Sequence, residues 1–129
     1  MRLDDELIHD AGSHWDDWRT FDPHALGQER LDFYRREIAR LITREFGTVP
    51  LFVLKEPRIS RMVPFYTDVL ENELGLDVRY VLTSRNPLSV AASLRRRNGF
   101  TLQYSSLVWP RHQLDAERAT RGRRRVLVS

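Results

Sequence analysis

At 129 residues the chain has the length of one ordinary domain, without cysteines for a disulfide framework or thiolate metal site. No run approaches the ~20 apolar residues of a membrane span, and the opening MRLDDELIHD lacks the apolar stretch of a signal peptide. The net charge of +3 is unevenly laid out: residues 1–22 hold seven acids against two arginines, residues 23–84 nine of each sign, and residues 85–129 ten arginines against two acids.

Residues 3–9 predict a short helix ending near Gly12. The aromatic, acidic, turn-rich stretch 13–25 predicts a loop, so 1–25 reads as a lead-in and 26–129 as an α/β core. From Leu26 to Phe46, apolar residues at Phe33 or Tyr34, Ile38, Leu41, Ile42 and Phe46 recur at helical spacing, and Gly47 supplies the stop. The apolar run 51–54, after Gly47 and Pro50, has the pattern of a buried strand. Residues 60–74 predict a second helix, with Ser60 as its N-cap and Met62, Phe65, Val69, Leu70 and Leu74 on its buried face. A strand at 78–84, rich in β-branched and aromatic residues, follows. Asn86-Pro87 then predicts an N-cap and first helical residue, for a helix closed by Asn98-Gly99. Thr101 is placed to cap another helix running to about Thr120, interrupted near Pro110. Residues 125–129 predict a last strand, and its end at Ser129 reads as a domain that continues further.

Strands alternating with helices predict an α/β fold, a parallel sheet with helices on both faces. Ligands in such folds bind beyond the carboxyl ends of the strands. Arg85 stands at one of those ends and offers a planar fork suited to phosphate. Ser93, two turns along the next helix, and the free N–H groups of its first turn could meet the same anion. The plain alternative is a surface arginine before a capped helix and a small serine packed on the sheet.

RYVLTSRNPLSVAASLRRR (79–97) resembles the 3′-phosphate motif of sulfotransferases that use 3′-phosphoadenosine 5′-phosphosulfate (PAPS): an apolar strand ending in Arg-Asn-Pro, then a serine eight residues after the arginine. FVLKEPRISRMVPFY (52–66) is similar to a Lys-Asp-Pro-Arg segment of bacterial sulfotransferase-family proteins, and residues 107–129 resemble their later helix and strand. The resemblance covers residues 50–129 well and the first third loosely. It implies a P-loop-NTPase-like sulfotransferase fold, incomplete here, and sulfuryl transfer from PAPS to a hydroxyl or amine on a small-molecule or carbohydrate acceptor. Arg85 and Ser93 would bind the 3′-phosphate. Lys55 would stand near the leaving oxygen, where negative charge develops. Many cytosolic members carry a catalytic histidine where this chain has Pro57. Glu56 is the nearby candidate base, although its carboxyl would need raising, and pairing with Arg58 is its alternative role.

The family's Gly- and Ser/Thr-rich 5′-phosphosulfate loop has no counterpart, because the glycines never cluster. The chain by itself is therefore expected not to transfer sulfate. By analogy to P-loop sheets, 51–54 is expected beside 78–83, with 125–128 left apart and open edges that favour aggregation. Two other readings remain, a catalytically inactive nucleotide-binding or interaction module and an arginine-rich nucleic-acid binder. Nucleic acid is not the expected partner, since residues 121–125 (RGRRR) lack interleaved aromatics. Arg95 to Arg97 read as a solvated helix end. Trp15 and Trp18 could line an acceptor pocket or pack against the domain. The histidines stand singly and predict no metal, and the compartment expected is the cytoplasm.

Overall fold

The computed structural model describes residues 2–129. Their acids and apolar spacing place three helical segments around one core. Helix α1 (Arg2–Asp10) has Asp4 and Asp5 in its first turn, where the helix dipole favours negative charge, and buries Leu7 and Ile8. Helix α2 (Gln28–Phe46) turns Leu31, Tyr34, Ile38 and Ile42 inward, so Tyr34, not Phe33, joins the core. Helix α3 (Val63–Asp68) runs on into a π-helical turn at Val69–Glu73. Met62, Phe65, Tyr66 and Val69 from this segment close the core against α1 and α2.

The helix expected over 60–74 is therefore three pieces: a 3₁₀ turn at Pro57–Arg61, α3, and the π turn. Ser60 is not its N-cap. It lies inside the 3₁₀ turn, which Glu56 caps by accepting a hydrogen bond from the Arg58 backbone N–H. Pro64 in the first turn of α3 has no N–H to give, which suits a helix start.

Strand β1 (Tyr80–Thr83) leads through Asn86 into α4 (Pro87–Asn98), then α5 (Leu102–Thr120) and strand β2 (Arg125–Val128). Gly99 ends α4 in the left-handed conformation, with φ 71°, where a side chain would be strained. Thr101 caps α5 by accepting from the Tyr104 N–H, and Pro110 lies inside that helix without ending it. The two strands pair in parallel, Tyr80 with Arg125 through Thr83 with Val128.

This pairing corrects the expected strand order, since 80–83 and 125–128 are direct neighbours. The strand expected at 51–54 does not form either. Residues 51–56 alternate outward and inward as a strand would: Phe52 and Leu54 pack on the core, while Leu51 and Val53 are 84% and 79% exposed. The alternation is there; the ladder partner is not. The result is a mixed α/β fold, mostly helical, with a two-stranded parallel sheet at the side of a helical core. None of its described helices is long and apolar enough to cross a membrane.

Candidate functional site

Strand β1 ends where α4 begins, and the sequence sets this junction residue by residue. The Asn86 side chain accepts from the Leu88 N–H at 2.9 Å, and its carbonyl accepts from Val90 at 3.1 Å. Arg85 stands just before this cap, exposed, and makes no hydrogen bond or ion pair to another described residue. Ser93 lies about 9 Å along the axis from Pro87, at the usual helical rise of 1.5 Å per residue. It is exposed, whereas Ala91 and Leu94 face inward, so it does not pack against the sheet. Ser89, one turn nearer the cap, is also exposed and shares its face at i, i+4. The sequence reading missed Ser89, although that spacing was there to see. Arg85 and the capped start of α4 are thus adjacent, and Ser89 and Ser93 follow on an exposed face of the helix; a guanidinium fork, free helix N–H groups and hydroxyls are the groups that receive a phosphate.

Lys55 and Glu56 sit on the extended segment 51–56. Lys55 points outward, is exposed, and makes no hydrogen bond or ion pair to another described residue. Glu56 is half-buried and accepts from Arg58 Nη1 at 2.7 Å. Burial raises its carboxyl, but the hydrogen bonds from Arg58 outweigh that and hold it below the ordinary range. Arg58 also binds Asp5 of α1, so it ties the lead-in helix to the 3₁₀ turn. This is the pairing role; a carboxyl held low is a weak proton acceptor near neutral pH.

A cleft of about 460 Å³ opens beside this pair, lined by Asp5, Glu6, His9, Asp10, Trp15 and Arg58 among others. Trp15 both lines it and stacks on Phe100, with ring centroids 6.0 Å apart. Trp18 is half exposed and lines neither this cleft nor the smaller one between α3 and α5. Arg85, Ser93, Lys55 and Glu56 do not line either cleft.

One cluster was invisible in the sequence. The loop after α1 is held through its carbonyl oxygens by side chains from distant segments. Arg61, whose side chain is 0% exposed, donates to the carbonyls of His14 at 2.9 Å and Arg19 at 2.6 Å. Its guanidinium also lies over Phe21 and 3.6 Å from Asp115. The Tyr104 hydroxyl donates to the Asp16 carbonyl at 2.8 Å. His112 Nε2 lies 2.8 Å from the Trp15 carbonyl, which can only accept, so that nitrogen carries the proton. Burial pushes the His112 imidazole down and Arg61 nearby adds to it, so the ring is neutral and Nδ1 accepts from Ser60 Oγ at 2.6 Å. The Ser60 hydroxyl also lies 2.6 Å from the Pro57 carbonyl and shares its single proton between the two.

The basic C-terminal third is largely neutralised where it is densest. Arg121 and Arg125 pair with Glu117, Arg123 with Glu71, and Arg124 with Asp77. Among the described residues no group of three or more His, Asp or Glu side chains could hold a metal. No family model matches the chain, and neither does any curated protein or solved structure.

Proposed function

We propose that the chain is a sulfotransferase-type nucleotide-binding domain whose α4 junction binds the 3′-phosphate of PAPS. The carrying observation is Arg85: an exposed guanidinium without a partner among the described residues, at the carboxyl end of a parallel strand and directly before a capped helix. A surface arginine serving only stability would gain from a carboxylate neighbour, as Arg121 and Arg123 do. In this reading Arg85 supplies the fork, the first turn of α4 supplies N–H groups, and Ser93, joined by Ser89, supplies hydroxyls. PAPS supplies an activated sulfuryl group for a hydroxyl or amine acceptor. Lys55, exposed and making no hydrogen bond or ion pair to another described residue, would be the cation for charge developing on the leaving oxygen. The complete fold in this proposal is P-loop-NTPase-like, with further strands beside the open edge of β1.

The test is calorimetric titration with adenosine 3′,5′-bisphosphate and adenosine 5′-monophosphate. The bisphosphate should bind in the millimolar range or tighter, and the monophosphate more weakly. Arg85→Ala should cost the bisphosphate on the order of 2–4 kcal/mol, the loss of a charge-assisted bidentate contact, and leave the monophosphate unchanged. Equal losses for both nucleotides would refute the assignment. Turnover of PAPS is not expected from these residues, because no clustered glycine loop is present to hold the 5′-phosphosulfate in line.

A further inference from the structure

The β1–β2 sheet has one bare face and one open edge. Val81, Thr83, Val126 and Val128 project on the same side through the parallel register, and all four are exposed, Val81 at 66% and Val126 at 56%. The N–H groups of Tyr80 and Ser84 donate to the carbonyls of Arg124 and Val128 at 3.0 and 2.8 Å. Even-numbered residues of β2 therefore turn their backbone groups toward β1, and Arg125 and Leu127 turn theirs to the open side. Leu127 itself is 71% exposed. Edge strands are ordinarily protected by a lysine, a proline or a bulge; Val126-Leu127-Val128 has none of these.

The chain as a whole has more uncovered surface than a stable interface would take from it. A compact monomer of 15.3 kDa exposes roughly 7,100 Å². This chain exposes 8769 Å², an excess of about 1,600 Å², twice the roughly 800 Å² that a stable interface takes from each partner. The edge is also self-complementary. It carries no charge from 126 to 128, and the neighbouring Arg125 guanidinium is already turned onto Glu117, donating to its carbonyl at 2.9 Å. A twofold axis through Leu127 would set it opposite its own copy and bring no like charges together at the seam.

We propose that two copies of the chain pair through β2, antiparallel and centred on Leu127, to form a continuous four-stranded sheet. Val126 of each copy then lies across from Val128 of the other, and the two bare valine patches merge into one. In such a hydrogen-bonded antiparallel pair the central Cα atoms stand about 5.5 Å apart, within the usual span of a disulfide.

Because the natural chain has no cysteine, single-cysteine variants test this directly. Light scattering coupled to size exclusion should give the wild type twice the chain mass across the micromolar range. Leu127→Cys should oxidise to a covalent dimer at least tenfold faster than Leu107→Cys, an exposed leucine on α5. Val126→Lys should elute at the mass of one chain with its helical circular dichroism unchanged. A monomeric wild type, a ladder of undefined higher species, equal oxidation of the two cysteine variants, or a dimeric Val126→Lys would each overturn the proposal. Should Val126→Lys fail to fold, the comparison of cysteine variants decides alone.

Discussion

Replacing Arg61 by methionine removes the side chain that holds the loop after α1, and the structure sets the size of the effect. Arg61 gives two charge-assisted hydrogen bonds, to the His14 and Arg19 carbonyls, each worth about 1.5–3 kcal/mol. Its burial lowers its own affinity for a proton, against the pull of Asp115, so part of that gain offsets desolvation. Methionine returns the desolvation cost and keeps most of the packing. It also strands both carbonyls and leaves Asp115 with Arg111 alone. Removing one partner of a buried charged group costs about 3–5 kcal/mol, unlike replacing the whole group with apolar residues. At about 2.1 cal/mol/K of unfolding entropy per residue, a loss near 4 kcal/mol lowers the melting temperature of a chain this long by about 15 °C. Thermal unfolding followed by circular dichroism measures that shift. Trypsin cleavage after the exposed Arg19 gives a second readout and should accelerate as the loop detaches. A melting point within about 3 °C of wild type, under 1 kcal/mol on the same scale, with unchanged cleavage would show that Arg61 does not hold the loop.

Tyr66→Phe removes the only hydrogen-bond donor among the described residues to the fully buried Asp4 carboxylate, at a cost of about 1–3 kcal/mol. Burial already raises the Asp4 carboxyl, opposed by that hydroxyl, so whatever Asp4 contributes is fully present below its unfolded value and lost as pH rises through the folded one. The stability gap between wild type and Tyr66→Phe should therefore widen from pH 4 to pH 8 in urea titrations, and a gap that does not change with pH would count against a buried carboxylate. Asn86→Ala removes the α4 cap and should cost about 0.5–2 kcal/mol in the same titrations. It should also weaken bisphosphate binding by fraying the helix start, and unaltered binding would detach the cap from the phosphate surface.

Local signals carried much of this fold. Helices α2, α4 and α5 start and stop near the expected residues, because caps such as Asn86-Pro87 and Thr101 and stops such as Gly47 and Gly99 act within a few residues of themselves. Both paired strands were legible from their apolar runs. The misplaced strand shows where this kind of inference ends. Residues 51–54 have the composition and the in-out alternation of a strand, but a ladder belongs to two segments, and no single run encodes its neighbour. The helix expected over 60–74 failed differently. Its apolar positions were right, while the switch from 3₁₀ to α to π is set by the Glu56 cap, Pro64 and the fit of Val69 into the core. Of the candidate site, Arg85 stands exposed just before α4 and Ser93 exposed midway along it, and Glu56 is engaged by Arg58. Arg61 and His112 gave no sign in the sequence, because the groups they bind are 42 to 97 residues away.

The carbonyl-mediated grip on residues 14–19 also sets how freely that stretch can change. Arg61 and His112 read only main-chain oxygens there, and Tyr104 binds the Asp16 carbonyl at 2.8 Å with a longer contact of 3.3 Å to its carboxylate; the main-chain oxygen is the same in every amino acid. Most replacements at His14, Asp16 or Arg19 would leave the carbonyl grips intact, although position 16 would lose the longer contact of Tyr104 with the carboxylate and position 19 its link to Asp17. Of these positions His14 lines the cleft beside α1, next to Trp15. Variation there can alter what the cleft accepts while the anchors stay in place, so a library randomised over 14, 16 and 19 should yield mostly folded members. A library over 61, 104 and 112 should yield few.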